Sequence, residues 1–223
     1  MIGTFYKKAA FVFVMSGFLM GAIKSLVCLD ASVVATQTEV QKFINNMLDR
    51  AVWALEKEQK KEREQDFLQV LEDHFDHQGL ARYMLGGFYA QLNEAQKERY
   101  TFLLKKYMVL LYLSKFDSYG EKLPRDSFTM GRVFPLQPQN PKSQWIAKTM
   151  MQIENNGQKS TIDIDWRVYP TPKGYKILDV FIEGVSLSQT KREEFVAAAG
   201  RDGVDAFLNQ LAVQANVAPA PGG

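Results

Sequence analysis

The sequence is poor in residues that carry covalent or metal chemistry. Its 223 residues include one cysteine, Cys28, and two histidines, His74 and His77. Cys28 lies in an N-terminal segment that would be lost if the chain were cleaved after Ala35. The cleaved chain would then contain no thiol nucleophile and no cysteine-ligated metal. It also has no glycine-rich phosphate loop and no paired-carboxylate signature. These absences argue against most classes of enzyme.

A net charge is lacking as well. The chain has 27 basic and 25 acidic residues, of which three and one, respectively, precede Thr36, so the remainder carries 24 of each. The charges form no basic cluster. Because nucleic acids are bound by basic surfaces, nucleic acid is an unsuitable partner for this chain.

Outside the N-terminus, the sequence has no apolar run of the roughly 20 residues that a membrane-spanning helix needs. At the N-terminus, Lys7-Lys8 precede an apolar stretch over residues 9–23, and Val33-Val34-Ala35 suits signal cleavage. This pattern predicts that residues 1–35 are a secretory signal peptide that is removed on export. The alternatives are an uncleaved anchor and a lipoprotein acylated at Cys28.

The first half of the remaining chain has helical periodicity. A capping-box pattern at Thr38–Gln41 precedes apolar residues that recur at helical spacing from Val40, and two further helical segments follow. Asn93 and Gln96 predict the cap of a long helix that runs to about Ser118. The second half of that helix, M-V-L-L-Y-L, is apolar on nearly all sides, which is typical of a buried helix or of a cavity wall.

The second half of the chain changes to the two-residue period of β-strands. Short connections between the apolar runs favour antiparallel pairing. Strands are predicted near Phe128 and over 145–153, 162–168 and 175–182. Two helices, over about 190–199 and 202–215, follow them, and the first begins with a capping box at Thr190–Glu193.

This order of elements predicts an α+β fold with a single four-stranded, curved antiparallel sheet and helices packed on one face. The apolar surface exceeds what simple packing needs, so the fold is expected to enclose an apolar cavity. The domain is expected to span residues 36–216, with 217–223 as a disordered tail. The predicted cavity lining is Tyr107, Leu111, Phe128, Met130, Ile162, Ile164, Trp166 and Val180.

Two short patterns only approach known catalytic or metal sites. Gly184-Val185-Ser186-Leu187-Ser188 resembles a nucleophile elbow, but its fifth residue is not glycine and no histidine follows it. His74 and His77 share a helix face with Asp73 or Asp76, which would give at most a weak metal site. Such a pair of histidines more often belongs to a solvated helix end, so we predict no metal, cofactor or catalytic residue.

Asp179 is the one acid in the otherwise apolar strand over residues 175–182. A buried carboxylate can act as the base of an isomerase, which makes a small-molecule isomerase built around Asp179 the alternative function. The other interpretation is that Asp179 accepts hydrogen bonds that brace the turn at Gly184. An interaction module with a filled core is a further alternative.

The stretch over residues 179–195, D-V-F-I-E-G-V-S-L followed by T-K-R-E-E-F, resembles the signature of the MlaC-like (toluene-tolerance) family of periplasmic phospholipid carriers. The run D-x-x-x-L-A-R-x-x-L-G from Asp76 to Gly86 is similar to that family as well. Tyr175 is a departure, since many relatives have tryptophan there. Hopanoid-associated relatives share the domain, so a hopanoid-related cargo is a further alternative.

The resemblance implies a non-enzymatic, periplasmic function. Members of the family shuttle phospholipid between an outer-membrane lipoprotein–porin complex and an inner-membrane ABC transporter with an MCE-domain subunit, and so maintain the lipid asymmetry of the outer membrane. A carrier of this kind needs a deep apolar cleft, because each methylene left in water costs about 0.8 kcal/mol. It needs no cofactor beyond its cargo.

Overall fold

The computed structural model describes residues 19–118, 123–140, 143–155 and 158–219, with residues 19–35 and 155 as backbone only. The chain divides into two units, Met1–Glu39 and Val40–Gly223. Lys7-Lys8 and about half of the predicted signal peptide lie outside the described residues. No helix in the described part of the chain is long and apolar enough to cross a membrane.

Six α-helices are present among the described residues. The charged run over residues 56–66 contains the turn between the first two helices and also the first half of the second. Two 3₁₀ helices lie at Gly86–Gln91 and Arg125–Ser127. The α-helices are α1 (Leu19–Leu55), α2 (Lys60–His74), α3 (His77–Leu85), α4 (Glu94–Ser118), α5 (Leu187–Asp202) and α6 (Val204–Gln214).

The predicted cap of α4 is confirmed. The backbone N–H of Gln96 donates to Asn93 Oδ1 at 2.9 Å, and the backbone N–H of Asn93 donates to Gln96 Oε1 at 3.0 Å. This reciprocal pair satisfies two donors that a helix start would otherwise leave unpaired. The helix ends at Ser118, as its periodicity predicted.

The two other predicted caps are wrong. Thr38 does not start a helix, because α1 begins at Leu19 and continues through it. Thr190 lies inside α5, where its hydroxyl donates to the carbonyl of Ser186 at 2.8 Å. Ser186 is the actual cap, and its hydroxyl accepts from the N–H of Gln189 at 3.0 Å.

Among the described residues, the strands form one antiparallel sheet with five members rather than the four predicted. The added strand has two residues and pairs with the end of the fourth after a turn at Glu183-Gly184, where both residues have positive φ. Two residues are too few to show a period, so the sequence pattern could not reveal this strand. In sheet order the strands are β1 (Phe128–Pro135), β2 (Trp145–Asn155), β3 (Gln158–Thr171), β4 (Gly174–Ile182) and β5 (Val185–Ser186).

The register of β3 and β4 builds one apolar wall. Ile164, Trp166 and Val168 are buried and alternate with more exposed charged residues, which confirms the predicted two-residue period of β3. Trp166 pairs directly with Val180 of β4. The apolar side chains of both strands therefore form a continuous surface against which helices can pack.

Polar contacts fasten the C-terminal end of α2 to the sheet. Phe75 forms a parallel β-bridge with Ile177, and the N–H of Asp76 donates to the carbonyl of Ile177 at 2.9 Å. Lys176 Nζ donates to two carbonyls in the last turn of α2 at 3.0 and 2.9 Å. A cation at the C-terminus of a helix is favourable, so this lysine both caps and anchors α2.

A second polar contact fixes α1 at the start of β1. The guanidinium of Arg125 donates to Asn45 Oδ1 at 2.7 Å, to the carboxylate of Asp49 and to the carbonyl of Phe128. Because the planar guanidinium has five donors, one arginine can hold both elements at once. Arg125 thus fixes the side of α1 that faces β1.

Asp179 fastens β4 to the start of α5. Its Oδ1 accepts from the N–H groups of Val180 at 2.9 Å and Ser188 at 3.1 Å. Its Oδ2 accepts from the hydroxyl of Ser186 at 2.6 Å. Asp179 is 7% exposed, so water can replace few of these bonds. The bracing role that the sequence suggested for Asp179 is confirmed.

We expect Asp179→Ala to lower the free energy of unfolding by about 2–4 kcal/mol, because it leaves two backbone donors and a hydroxyl without their partner. Urea unfolding followed by circular dichroism measures the change. Asp163→Ala is the matched control, since Asp163 is an exposed acid on the neighbouring strand. It should change stability by less than about 0.5 kcal/mol, and equal losses in the two variants would contradict the bracing role.

Candidate functional site

An apolar cavity lies between the helices and the sheet. One wall is formed by α1, α2 and α4, and the other by β1, β2, β3 and β4. No polar atom of the lining faces the cavity in the part of the chain that the structure describes. The helix wall includes Met47, Val52, Phe67, Leu71 and Tyr112, and the sheet wall includes Phe128, Met151, Ile164, Trp166 and Val180.

The cavity is nearly closed. Its volume is about 40 Å³, enough for a few water molecules and far below the roughly 300–1,000 Å³ of ordinary ligand pockets. Most lining side chains belong to the buried core, so the two walls are in contact along much of their length. Any bulky apolar ligand would have to separate the walls.

Six of the lining residues mark where the cavity meets the solvent, and we call them the rim. Five of them are only partly buried and pack against the core: Leu55, Tyr112, Phe116, Ile162 and Ile182. Lys115 is exposed, and its stem contributes to the lining. The rim thus joins the ends of α1, α4 and β4 to the first half of β3.

The buried polar groups of Trp166 and Thr149 in the sheet wall form hydrogen bonds within the sheet. Trp166 Nε1 donates to Thr149 Oγ1 at 3.0 Å, and the hydroxyl of Thr149 donates to the carbonyl of Ile164 at 3.0 Å. All three residues are buried. This chain of bonds allows the indole ring to line the cavity without leaving a buried donor unpaired, which would be costly.

Five of the eight predicted lining residues line this cavity. Met130 is partly buried against the core and lies outside the lining. Tyr107 and Leu111 lie on another side of α4, in an open groove of about 470 Å³. The five that the structure brings together are Phe128, Ile162, Ile164, Trp166 and Val180.

The placement of Tyr107 and Leu111 follows from the two apolar sides of α4. Tyr112 and Phe116 line the cavity, whereas Tyr107 and Leu111 line the groove, where Arg63 pairs with Asp117 across α2 and α4. A helix that is apolar nearly all round gives no signal for which side faces a cavity. Sequence reasoning therefore identified the helix and not its orientation.

The sequence analysis also missed the contribution of α1 and α2 to the lining. Met47, Leu48 and Ala51 of α1 and Phe67 and Leu71 of α2 all border the cavity. Helical spacing identified the three α1 residues as part of one buried stripe and the two others as part of a second helix. That signal does not distinguish a residue that packs against a cavity from one in solid core.

The near misses to catalytic and metal sites have structural roles. The hydroxyl of Ser186 is used by Asp179 and by the cap of α5. Both oxygens of Asp179 are occupied by hydrogen bonds. Among the residues that the structure describes, no group of three or more His, Cys, Asp or Glu is arranged to hold a metal ion.

His74 belongs to the interface between α1 and α2. Its ring is buried, lies 5.4 Å from the ring of Phe43, and has Nδ1 2.9 Å from the carbonyl of Val70. Nε2 is 3.4 Å from Asn46 Oδ1. Burial lowers the pKa of the His74 imidazole below its usual range, and the positive charge of Arg50 acts in the same direction.

Comparison with known proteins identifies the family of this chain and a solved structure with a similar fold. A family model described as MlaC protein matches residues 40–213. The chain belongs to the MlaC family. Among solved structures, it is similar to the phospholipid-binding protein from Ralstonia solanacearum in complex with a phospholipid, with a TM-score of 0.60 and 18% identity. The match covers 81% of this chain and 96% of that chain, and at this identity it concerns the fold.

We expect this MlaC-family chain to lose stability through His74 as the pH falls below about 6.5. Unfolded histidine takes up a proton as the pH falls through about 6.5, whereas the folded pKa is lower, so the unfolded state binds more protons. Urea unfolding at several pH values measures the free energy of unfolding at each pH. The slope of this free energy against pH should be shallower in His74→Gln than in the wild type.

His77→Gln is the matched control for this pH dependence. His77 is partly exposed at the start of α3, three residues further along the chain. The His77→Gln variant should retain the wild-type slope. An unchanged slope in His74→Gln would contradict the assignment to His74.

Proposed function

We propose that this chain is a phospholipid carrier that binds its cargo non-covalently between the helices and the sheet. The observation that carries the proposal is the apolar cavity with its exposed rim, in a fold of the MlaC family. The similar Ralstonia solanacearum protein is described in complex with a phospholipid, which supports the same class of ligand here. No cofactor or metal takes part in the binding that we propose.

A lipid bound inside the carrier is expected to have a lower free energy than the same lipid free in water. Burying some thirty methylenes gives a gross driving force on the order of 20 kcal/mol, from which ordering costs are subtracted. The walls separate by exchanging apolar contacts between side chains for apolar contacts with acyl chains. The hydrogen bonds of Arg125 to α1 and of Lys176 to α2 hold these helices in place during this exchange. The walls therefore open at the rim.

We further propose that the carrier works in the periplasm and maintains the lipid asymmetry of the outer membrane. On this proposal it shuttles phospholipid between an outer-membrane lipoprotein–porin complex and an inner-membrane ABC transporter with an MCE-domain subunit. Release is slow in buffer, because free lipid must enter water. It is fast only when a partner offers another apolar path.

Solvent extraction of the purified protein, followed by mass spectrometry, should release phospholipid in stoichiometric amount. Ile162→Glu should reduce that amount at least about tenfold, because a charge at the rim would have to be buried beside an acyl chain. Recovery of a hopanoid, of a small ring compound or of no lipid from the folded wild-type protein would overturn the proposal.

Met150→Glu is the matched control for the rim substitution. Met150 lies on β2, the strand next to β3, is 41% exposed and is not part of the lining. The Met150→Glu variant should carry as much phospholipid as the wild type. Circular dichroism of both variants checks that they are folded.

N-terminal sequencing of exported protein should begin near Thr36 or Ser32. The reason is the signal-peptide pattern of Lys7-Lys8, the apolar stretch and Val33-Val34-Ala35. Mass spectrometry of the intact protein measures the same cleavage. A mature protein that retains Met1, or that carries an acyl group on Cys28, would contradict this prediction.

A further inference from the structure

The hairpin of α1 and α2 is fastened at one end. Lys176 of β4 donates to the carbonyls of Glu72 and Asp73 near the end of α2. Beside them, Arg50 of α1 pairs with Asp73 at 2.6 Å, which joins the two helices. The other end of the hairpin, residues 55–67, contains the last residue of α1, the turn and the first half of α2. These residues lie beyond the fastening bonds, and we call them the tip.

The tip closes the cavity against the end of α4. Leu55 and Phe67 line the cavity from the tip, and Phe116 lines it from α4. The rings of Phe67 and Phe116 meet edge to face, with their centroids 6.1 Å apart. Leu55 and Phe116 also belong to the rim. A ligand that enters between them therefore has to move the tip away from α4.

An ion pair joins the tip to α4 at the same place. The guanidinium of Arg63 donates to the two carboxylate oxygens of Asp117 at 3.2 and 3.5 Å, and Asp117 directly follows Phe116. The two side chains are 25% and 53% exposed, so water competes for both charges. Exposed ion pairs contribute little to stability and are weakened by salt. This contact is therefore weak enough to break and form again.

A second ion pair joins the same two helices at the fastened end. Lys105 Nζ of α4 lies 2.6 Å from the carboxylate of Glu72. Glu72 follows Arg63 by nine residues of α2, which is about 13.5 Å along the helix. A rotation of α2 about its fastened end therefore moves Arg63 much farther than Glu72. Such a rotation separates Arg63 from Asp117 and can leave the pair of Lys105 and Glu72 intact.

We propose that the ion pair of Arg63 and Asp117 is a latch that controls lipid exchange. While the pair is formed, the tip rests on α4 and the cavity is closed. When it breaks, the tip moves outward about the fastened end and the rim opens. The rate of exchange then depends on ionic strength, because salt screens the two exposed charges. This inference rests on the proposed carrier function.

The test measures the transfer of a fluorescent phosphatidylcholine from the loaded protein to phosphatidylcholine vesicles, which carry no net charge. Asp117→Asn should speed transfer about 2- to 5-fold, because it removes one charge of the latch and keeps the shape of the side chain. Arg63→Gln should have the same effect, and the double variant should be no faster than either single variant. Added salt should speed transfer by the wild type much more than transfer by Asp117→Asn.

Glu72→Gln is the matched control, because it breaks the ion pair with Lys105 at the fastened end of the same two helices. Its transfer rate should equal that of the wild type, and circular dichroism checks that each variant is folded. The latch is overturned, while the carrier function stands, if Glu72→Gln speeds transfer as much as Asp117→Asn does. The same conclusion follows if Asp117→Asn leaves the rate unchanged, or if the effects of Asp117→Asn and Arg63→Gln multiply in the double variant.

Amide hydrogen exchange of the purified protein without added lipid, measured by mass spectrometry, tests the motion independently of cargo. Asp117→Asn should speed exchange over residues 60–67 at least about twofold and leave residues 68–75 unchanged. Equal changes in both halves of α2, or no change in either, would overturn the latch. If the wild-type protein takes up no labelled phosphatidylcholine, the carrier function fails, and the role of the latch in exchange fails with it.

Discussion

Apolar contact between the helices and the sheet is the interaction on which the rest of this structure depends. The same surfaces, from α1, α2 and α4 on one side and β1 to β4 on the other, form the core and line the cavity. A protein interior is normally packed without such gaps, and each unfilled volume costs stability. Here a small gap with an exposed rim lies within the core itself, so stability and the proposed binding depend on the same side chains.

The polar contacts lie at the edges of this interior. Lys176 holds the end of α2, Arg125 holds α1, and Asp179 holds the start of α5, while the walls of the cavity between them expose no polar atom to it. Hydrogen bonds are directional and cost free energy when they break, whereas apolar contacts can be exchanged for others of the same kind. This division suits a protein whose interior is proposed to open for an apolar ligand and to close without one.

The residues that most resembled catalytic groups have structural roles. Among the described residues, the cavity lining adds no catalytic group. Ser186 and Asp179 are bonded to each other at 2.6 Å and to the backbone at the start of α5. His74 packs between α1 and α2, away from any cluster of metal ligands among the described residues. An apolar cavity in a chain of the MlaC family agrees with the carrier function that we propose.

The sequence by itself determined the elements whose pattern is local. Three features could be predicted because each depends on residues that are close together in the sequence. They are the cap at Asn93, the two-residue period of Ile164, Trp166 and Val168, and the resemblance over residues 179–195. Tertiary structure alone decided that Tyr112 rather than Tyr107 faces the cavity, since α4 is apolar on both sides. It also decided the pairing of β5, which is too short to show a period, and the gathering of Leu55, Phe116, Ile162 and Ile182 at one rim. Those four residues come from four separate elements, and only the packing of the helices on the sheet brings them together.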